Sequence, residues 1–286
     1  MLLVGVDLWI GAATVRYEEL KYRALLDREA RYDTIIVGSS HAMHGIDPRH
    51  LERPGVSLYN FAFSGANPLF LERWYDFYRD HQPAPKMALI SADWFLFKSA
   101  LTRRFEHDAE YLPPEELARM IADPLTSLST LLQNRFPLIK EREQLVYDML
   151  RLEPPTRVVV EAYHKGYAPY RVYHWGYQYP YKVRDNRHYE IAFGRLLDRF
   201  EAEGTRIVFI QAPEYLPDAG VHPEENGRLR AIAASRGIPF LNYNEERKSP
   251  LNYDQSLFTD WGHMNERGSA RFGPMLRRDM DALDLF

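Results

Sequence analysis

"IIVGSSHAMHGIDP", residues 35–48, is the stretch on which the reading of the chain turns. Apolar residues run into Gly38, Ser39, Ser40 and His41 without a charged residue between. A short apolar run closed by small turn residues reads as a buried strand that ends abruptly. Two hydroxyls at such an end have two explanations: the turn needs small residues, or one hydroxyl is a nucleophile held at the edge of a sheet.

The same kind of run recurs along the chain. "DTIIVG" (33–38), "VSLYNFAF" (56–63), "KMALISAD" (86–93), "TRIVFIQAP" (205–213) and "IPFLNYN" (238–244) read as strands. Helical spacing of apolar residues lies between them, over 67–81, 185–204 and 222–237, with a last helix over 265–283. Gly204 and Gly237 stand where glycine stops a helix. Asn265 reads as the cap of the last helix. Strands alternating with helices, and strands that are continuously apolar, imply a parallel sheet buried on both faces. The expected fold is α/β, a flavodoxin-like three-layer sandwich around a central parallel sheet of about five strands. Ligands of such sheets bind beyond the carboxyl ends of the strands, where the Gly38–His41 turn falls.

The alternation breaks between the third and fourth strands. Residues 95–184 read as an insertion, or lid, within a single domain spanning 1–286. Its first half has helical patterning. Its second half, "EAYHKGYAPYRVYHWGYQYPYK" (161–182), is dense in tyrosine.

Composition narrows the function classes. Among 286 residues, 45% are hydrophobic and 27% charged, ordinary for a globular chain. Lys and Arg number 36 against 40 Asp and Glu, a net charge of −4 that makes nucleic acid an unsuitable main partner. The absence of cysteine removes disulfides, thiolate nucleophiles and cysteine metal sites. The apolar start "MLLVGVDLWIGAATV" contains Asp7 and falls short of the roughly 20 apolar residues of a spanning helix. It reads either as the tail of a membrane anchor or as an ordinary packed helix.

"LFTDWGHMNERG" (257–268) supplies a second chemical element, Asp260 and His263 on the loop before the last helix. A carboxylate on one imidazole nitrogen fixes the tautomer, and the other nitrogen can take a proton from a hydroxyl. The hydroxyl must then come from another part of the fold, and the Gly38–His41 turn carries one.

With these residues the chain resembles the SGNH hydrolases, the GDSL-like esterases and acyltransferases. Gly38-Ser39-Ser40 stands for their first block, Gly65 in "FSGAN" for their second, and Asp260-Trp261-Gly262-His263 for their last. The resemblance implies Ser40 as nucleophile, His263 as general base and acid, and Asp260 as the carboxylate that orients it. It also implies an oxyanion hole from the N–H groups of Ser40 and Gly65. The third block departs from the family's G-x-N-D: Ser91-Ala92-Asp93-Trp94 occupies its place, and an ionised aspartate cannot donate a hydrogen bond. Asn67 is the expected substitute donor. His41, Asp93, Trp94, Tyr173 and Trp175 are the expected substrate contacts.

The implied activity is serine-dependent acyl hydrolysis or O-acyl transfer, without a cofactor or metal. The implied substrate is an O-acyl group of a cell-envelope or extracellular carbohydrate, and the implied location the bacterial cell envelope, periplasmic or membrane-tethered. Three alternatives stay open. One is a lipid or small-ester esterase with the same triad. Another is a non-catalytic glycan-binding or assembly module. The third is a zinc enzyme using His41 and His44, which lie one helical turn apart. A cytoplasmic location also stays open. The tyrosine cluster, including Tyr163, Tyr167, Tyr170, Tyr173 and Trp175, suits sugar rings or acyl chains, or else packs the insertion on the main domain. Arg171, Lys182 and Arg184 add positive charge there.

Overall fold

The structure is a computed structural model that describes residues 17–98, 103–123, 126–136, 163–170 and 184–285. Five strands form one parallel sheet: β1 (Thr34–Val37), β2 (Leu58–Asn60), β3 (Met87–Ser91), β4 (Arg206–Gln211) and β5 (Phe240–Asn242). Their order is β2-β1-β3-β4-β5, the flavodoxin-like order. All five fall inside the apolar runs of the sequence. β1 and β3 are buried at every position, as a sheet covered on both faces requires.

The helices include α1 (Ser40–Gly45), α2 (Pro68–His81), α3 (Arg187–Ala202), α4 (Pro223–Arg236) and α5 (Glu266–Ala282). α2 buries Phe70, Leu71, Trp74, Tyr75, Phe77 and Tyr78 on one face, and α3 buries Tyr189, Phe193, Leu196, Leu197 and Phe200. The two faces meet, with the rings of Tyr75 and Phe200 4.2 Å apart. Each large apolar side chain so buried contributes about 1.5–3 kcal/mol. α5 packs against α1. α4 ends at Gly237 in the left-handed conformation (φ 64°), as the sequence predicts.

The chain divides into two compact units, Arg28–Arg103 with Ala162–Phe286, and Met1–Asp27 with Arg104–Glu161. The sheet belongs to the first. The described part of the second holds the helices Tyr17–Leu26, Pro114–Ala122 and Leu128–Arg135 and a 3₁₀ segment, Phe105–Tyr111. There Tyr22 donates to Asp108 (2.8 Å) and stacks on Tyr111. The residues of the 95–184 insertion are thus shared: 104–161 groups with the chain start, and the 163–170 segment with the sheet. Among the described residues no helix is long and apolar enough to cross a membrane.

β1 lies centrally, between β2 and β3, with Val37 in register with Ile90. The turn after β1 therefore emerges beside Ser91, at the place where the strand order reverses.

Candidate active site

Gly38 lets the chain leave β1. Its φ is +144°, and a β-carbon there would come within 2.3 Å of Ser91 Cβ. Only glycine meets both conditions. The two serines that follow divide the work. Ser39 is the N-cap of α1, accepting from His41 N–H (3.2 Å) and donating to Asp93 Oδ2 (2.7 Å). Ser40, the first residue of α1, is partly exposed, and its hydroxyl points at His263.

Ser40 Oγ lies 2.8 Å from His263 Nε2. On the other side of the ring, His263 Nδ1 lies 2.9 Å from both carboxylate oxygens of Asp260. The 257–265 loop fixes that pair. Thr259 N–H donates to His263 O (2.8 Å), Asn265 N–H donates to Leu257 O (2.9 Å), and Asp260 Oδ1 accepts from the N–H groups of Gly262 and His263. Asn265 caps α5 with its side-chain oxygen, accepting from Arg267 and Gly268, as expected. Burial raises the Asp260 carboxyl, but the hydrogen bond and charge of His263 and the two loop N–H groups outweigh it and bring it to about 2.

Gly65 follows β2 with φ +67°. Phe63 N–H donates to Gly38 O (3.0 Å), so the turn carrying Gly65 is tied to the turn carrying Ser40. Arg103 steadies it, its N–H donating to Gly65 O (3.0 Å) and its guanidinium lying over Phe63. Asn67, the expected oxyanion donor, is engaged differently. Its carboxamide oxygen caps α2, accepting from Phe70 N–H (2.9 Å), and its amide donates to Arg103 O (2.8 Å). The Asn-Pro start of α2 explains the difference, because asparagine before an N1 proline is a helix-start signal.

Three expected substrate contacts are buried: Asp93 is 0%, His41 4% and Trp94 4% exposed. Asp93 Oδ2 accepts from Ser39 Oγ and from Ser91 Oγ (2.9 Å). His41 turns Nδ1 towards Asp93 Oδ1 (3.7 Å) and Glu214 Oε1 (3.5 Å), and its ring meets that of His263 edge-on at 4.8 Å. Burial and the His263 charge hold the His41 imidazole well below its usual range. Glu214 was not singled out by the sequence. The available signal was its place just past the apolar run of β4, at the carboxyl edge of the sheet.

His44 places Nδ1 2.5 Å from Ala168 O, and among the described residues no group of His, Asp and Glu is arranged to hold a metal ion. The tyrosine segment separates into two roles. Tyr167 is buried, and Tyr163 hydrogen-bonds Tyr59 (2.6 Å), so both pack on the sheet unit. Tyr170 lies over His44 (ring centroids 3.9 Å apart) and edges onto His263 (5.5 Å). Tyr173, Trp175, Arg171 and Lys182 lie outside the described residues.

No family model matches the chain, and no curated relative does. Among solved structures it is similar to a candidate acylhydrolase from Bacteroides fragilis, 12% identical over 94% of this chain and 95% of that one, with a TM-score of 0.42. A GDSL-like lipase from Bacteroides thetaiotaomicron is 11% identical over 93% of this chain and 99% of that one, TM-score 0.42. A candidate platelet activating factor from Streptococcus pneumonia is 9% identical over 99% and 98% of the two chains, TM-score 0.42.

Proposed function

We propose that the protein is a serine-dependent acyl-ester hydrolase or O-acyltransferase in which Ser40 is the nucleophile. The observation that carries this reading is the continuous path from Ser40 Oγ through His263 to Asp260. Ser40 Oγ attacks the ester carbonyl while His263 Nε2 takes its proton. Asp260 holds Nδ1–H towards itself and stabilises the imidazolium. The N–H groups of Ser40 and Gly65 donate to the oxyanion, each worth roughly 3–4 kcal/mol in such sites. The carbon–oxygen bond to the leaving alcohol then breaks, and His263 returns the proton to that alcohol. A water or an acceptor hydroxyl attacks the acyl-Ser40 ester, loses its proton to His263, and releases the acid or the new ester with Ser40 re-protonated.

The substrate in this reading is an O-acyl group on a carbohydrate of the cell envelope. Its support is the Tyr170 ring beside His263, an aromatic face with a polar tip of the kind that packs against sugar rings. Release of acetate from acetylated glycans, compared with cleavage of a short nitrophenyl ester, tests this part. Activity on the nitrophenyl ester alone favours a lipid or small-ester substrate.

The central experiment is fluorophosphonate treatment followed by mass spectrometry. One adduct, on Ser40, is expected, and none in Ser40→Ala. An unlabelled protein with an intact fold overturns the reading.

A further inference from the structure

Three buried polar atoms converge beside the triad: Asp93 Oδ1, Glu214 Oε1 and His41 Nδ1. Among the described residues none has a hydrogen-bond partner within normal reach. His41 Nδ1 lies 3.7 Å from the first carboxyl and 3.5 Å from the second, and all three side chains are at most 4% exposed. Two buried carboxylates beside one imidazole repel each other and are both penalised as anions, which favours a proton on one of them.

The hydrogen bonds decide which carboxyl keeps its charge. Asp93 Oδ2 accepts from two hydroxyls, Ser39 at 2.7 Å and Ser91 at 2.9 Å. Charge-assisted bonds of this kind favour the ionised form. For Glu214 burial is opposed by one neighbour only, the Trp94 indole, and its Oε1, like Asp93 Oδ1, accepts no bond from the described residues. The electrostatics agree: burial pushes Asp93 up to about 6, with the two hydroxyls opposing, whereas burial and the Asp93 charge hold Glu214 well above its usual range. Hydrogen bonding and burial together therefore favour the negative charge on Asp93 and the carboxyl proton on Glu214.

Resting on the reading of Ser40 as nucleophile, we propose that Asp93 is a positioning residue of the relay, a second anion that acts through His41 on His263. The His41 ring approaches both groups, Nδ1 3.7 Å from Asp93 Oδ1 and its centroid 4.8 Å from that of His263, and its Nε2 side abuts Gly262, where an added β-carbon would come within 2.8 Å. A neutral His41 with Nδ1–H towards the carboxyls leaves room for the imidazolium that forms on His263. The Asp93 charge stabilises that cation together with Asp260. The other titratable groups facing His263 are His44 on α1 and Tyr170 of the 163–170 segment. His44 Nδ1 faces Ala168 O (2.5 Å). Through Ser39, the same carboxylate also anchors the residue before the nucleophile.

The test compares Asp93→Asn, Glu214→Gln and Ser91→Ala with the parent protein. It reads the fluorophosphonate labelling rate against pH, and the titration midpoint of the His263 ring by NMR. In Asp93→Asn the acid limb and the His263 midpoint move to lower pH by about half a unit to one unit, and the plateau rate falls. Ser91→Ala, which keeps the carboxylate and loses one donor, shows a smaller shift in the same direction. Glu214→Gln, which removes no charge, leaves the limb in place. An unmoved limb in Asp93→Asn, or an equal movement in Glu214→Gln, overturns the proposal. Should Asp93→Asn fail to fold, Ser91→Ala against Glu214→Gln decides it by the same criteria. If the parent takes no label, the reading of Ser40 has failed, and the NMR midpoints alone still decide the role of Asp93.

Discussion

Ser40 Oγ and His263 Nε2 stand 2.8 Å apart although 223 positions separate them in sequence. α1 delivers the hydroxyl from the end of β1, and the loop before α5 delivers the imidazole. His263→Ala removes the proton acceptor, and Asp260→Asn leaves the ring in the wrong tautomer. Each is expected to lower kcat on an ester substrate by roughly ten-thousandfold or more, with little change in KM. Steady-state kinetics on a chromogenic ester checks this. A loss confined to KM contradicts the assigned roles.

Gly38 is the narrowest point in the construction of the site, because Ser91 Cβ occupies the space of any side chain there. Gly38→Ala combines a disallowed φ with a backbone-level clash. It is expected to destabilise the fold by about 3 kcal/mol or more. Adding Ser91→Gly removes the atom that is struck but not the strained angle. The double variant should therefore be less destabilised than the two single effects summed. Urea unfolding of the three variants measures the coupling, and strict additivity contradicts the geometry.

Much of this fold is written locally. The strand runs, the glycine stops at Gly204 and Gly237 and the Asn265 cap are short-range signals, and the structure has an element at each. Asp260 and His263 were legible because three residues of spacing on one loop let both groups face one way. The buried cluster was not. Asp93 and His41 look in sequence like polar residues of a cleft, and only long-range packing buries them. Glu214 carries no periodic signature, since its neighbours His41 and Asp93 come from other strand ends. Asn67 has the opposite balance: its local signal, a cap before Pro68, is what the structure displays, with its amide donating to Arg103 O.

The Asp260 carboxyl, at about 2 against an ordinary 3.8, links the triad to acid stability. A depressed carboxyl contributes stability above its unfolded value and loses it as pH falls through the folded one. The contribution is about 2 kcal/mol and disappears between about pH 4 and pH 2. Asp260→Asn should therefore be less stable than the parent at neutral pH, with the gap closing across that window. Denaturant midpoints measured down the pH series check this, and a gap that persists unchanged at the acid end refutes it.

Glu214 produces the opposite linkage. Burial, with the charges of Asp93 and Asp260, raises its carboxyl well above the ordinary 4.5, against an opposing hydrogen bond from Trp94. A raised carboxyl is fully compatible with the fold below its unfolded value. As pH rises past that value the unfolded chain releases the proton while the folded chain retains it, so stability declines until the folded carboxyl also ionises. Glu214→Gln keeps the shape and cannot ionise. At pH values below the ordinary carboxyl range the variant and parent should differ only by a constant packing offset. Above that range the difference should move steadily in favour of the variant. Asp93 and His41 titrate in both proteins, so their shared contributions largely cancel in this difference. Urea midpoints of the two proteins across the same pH series provide the measurement, and a constant offset from acid to alkaline pH would mean that Glu214 is ionised in the fold at neutral pH.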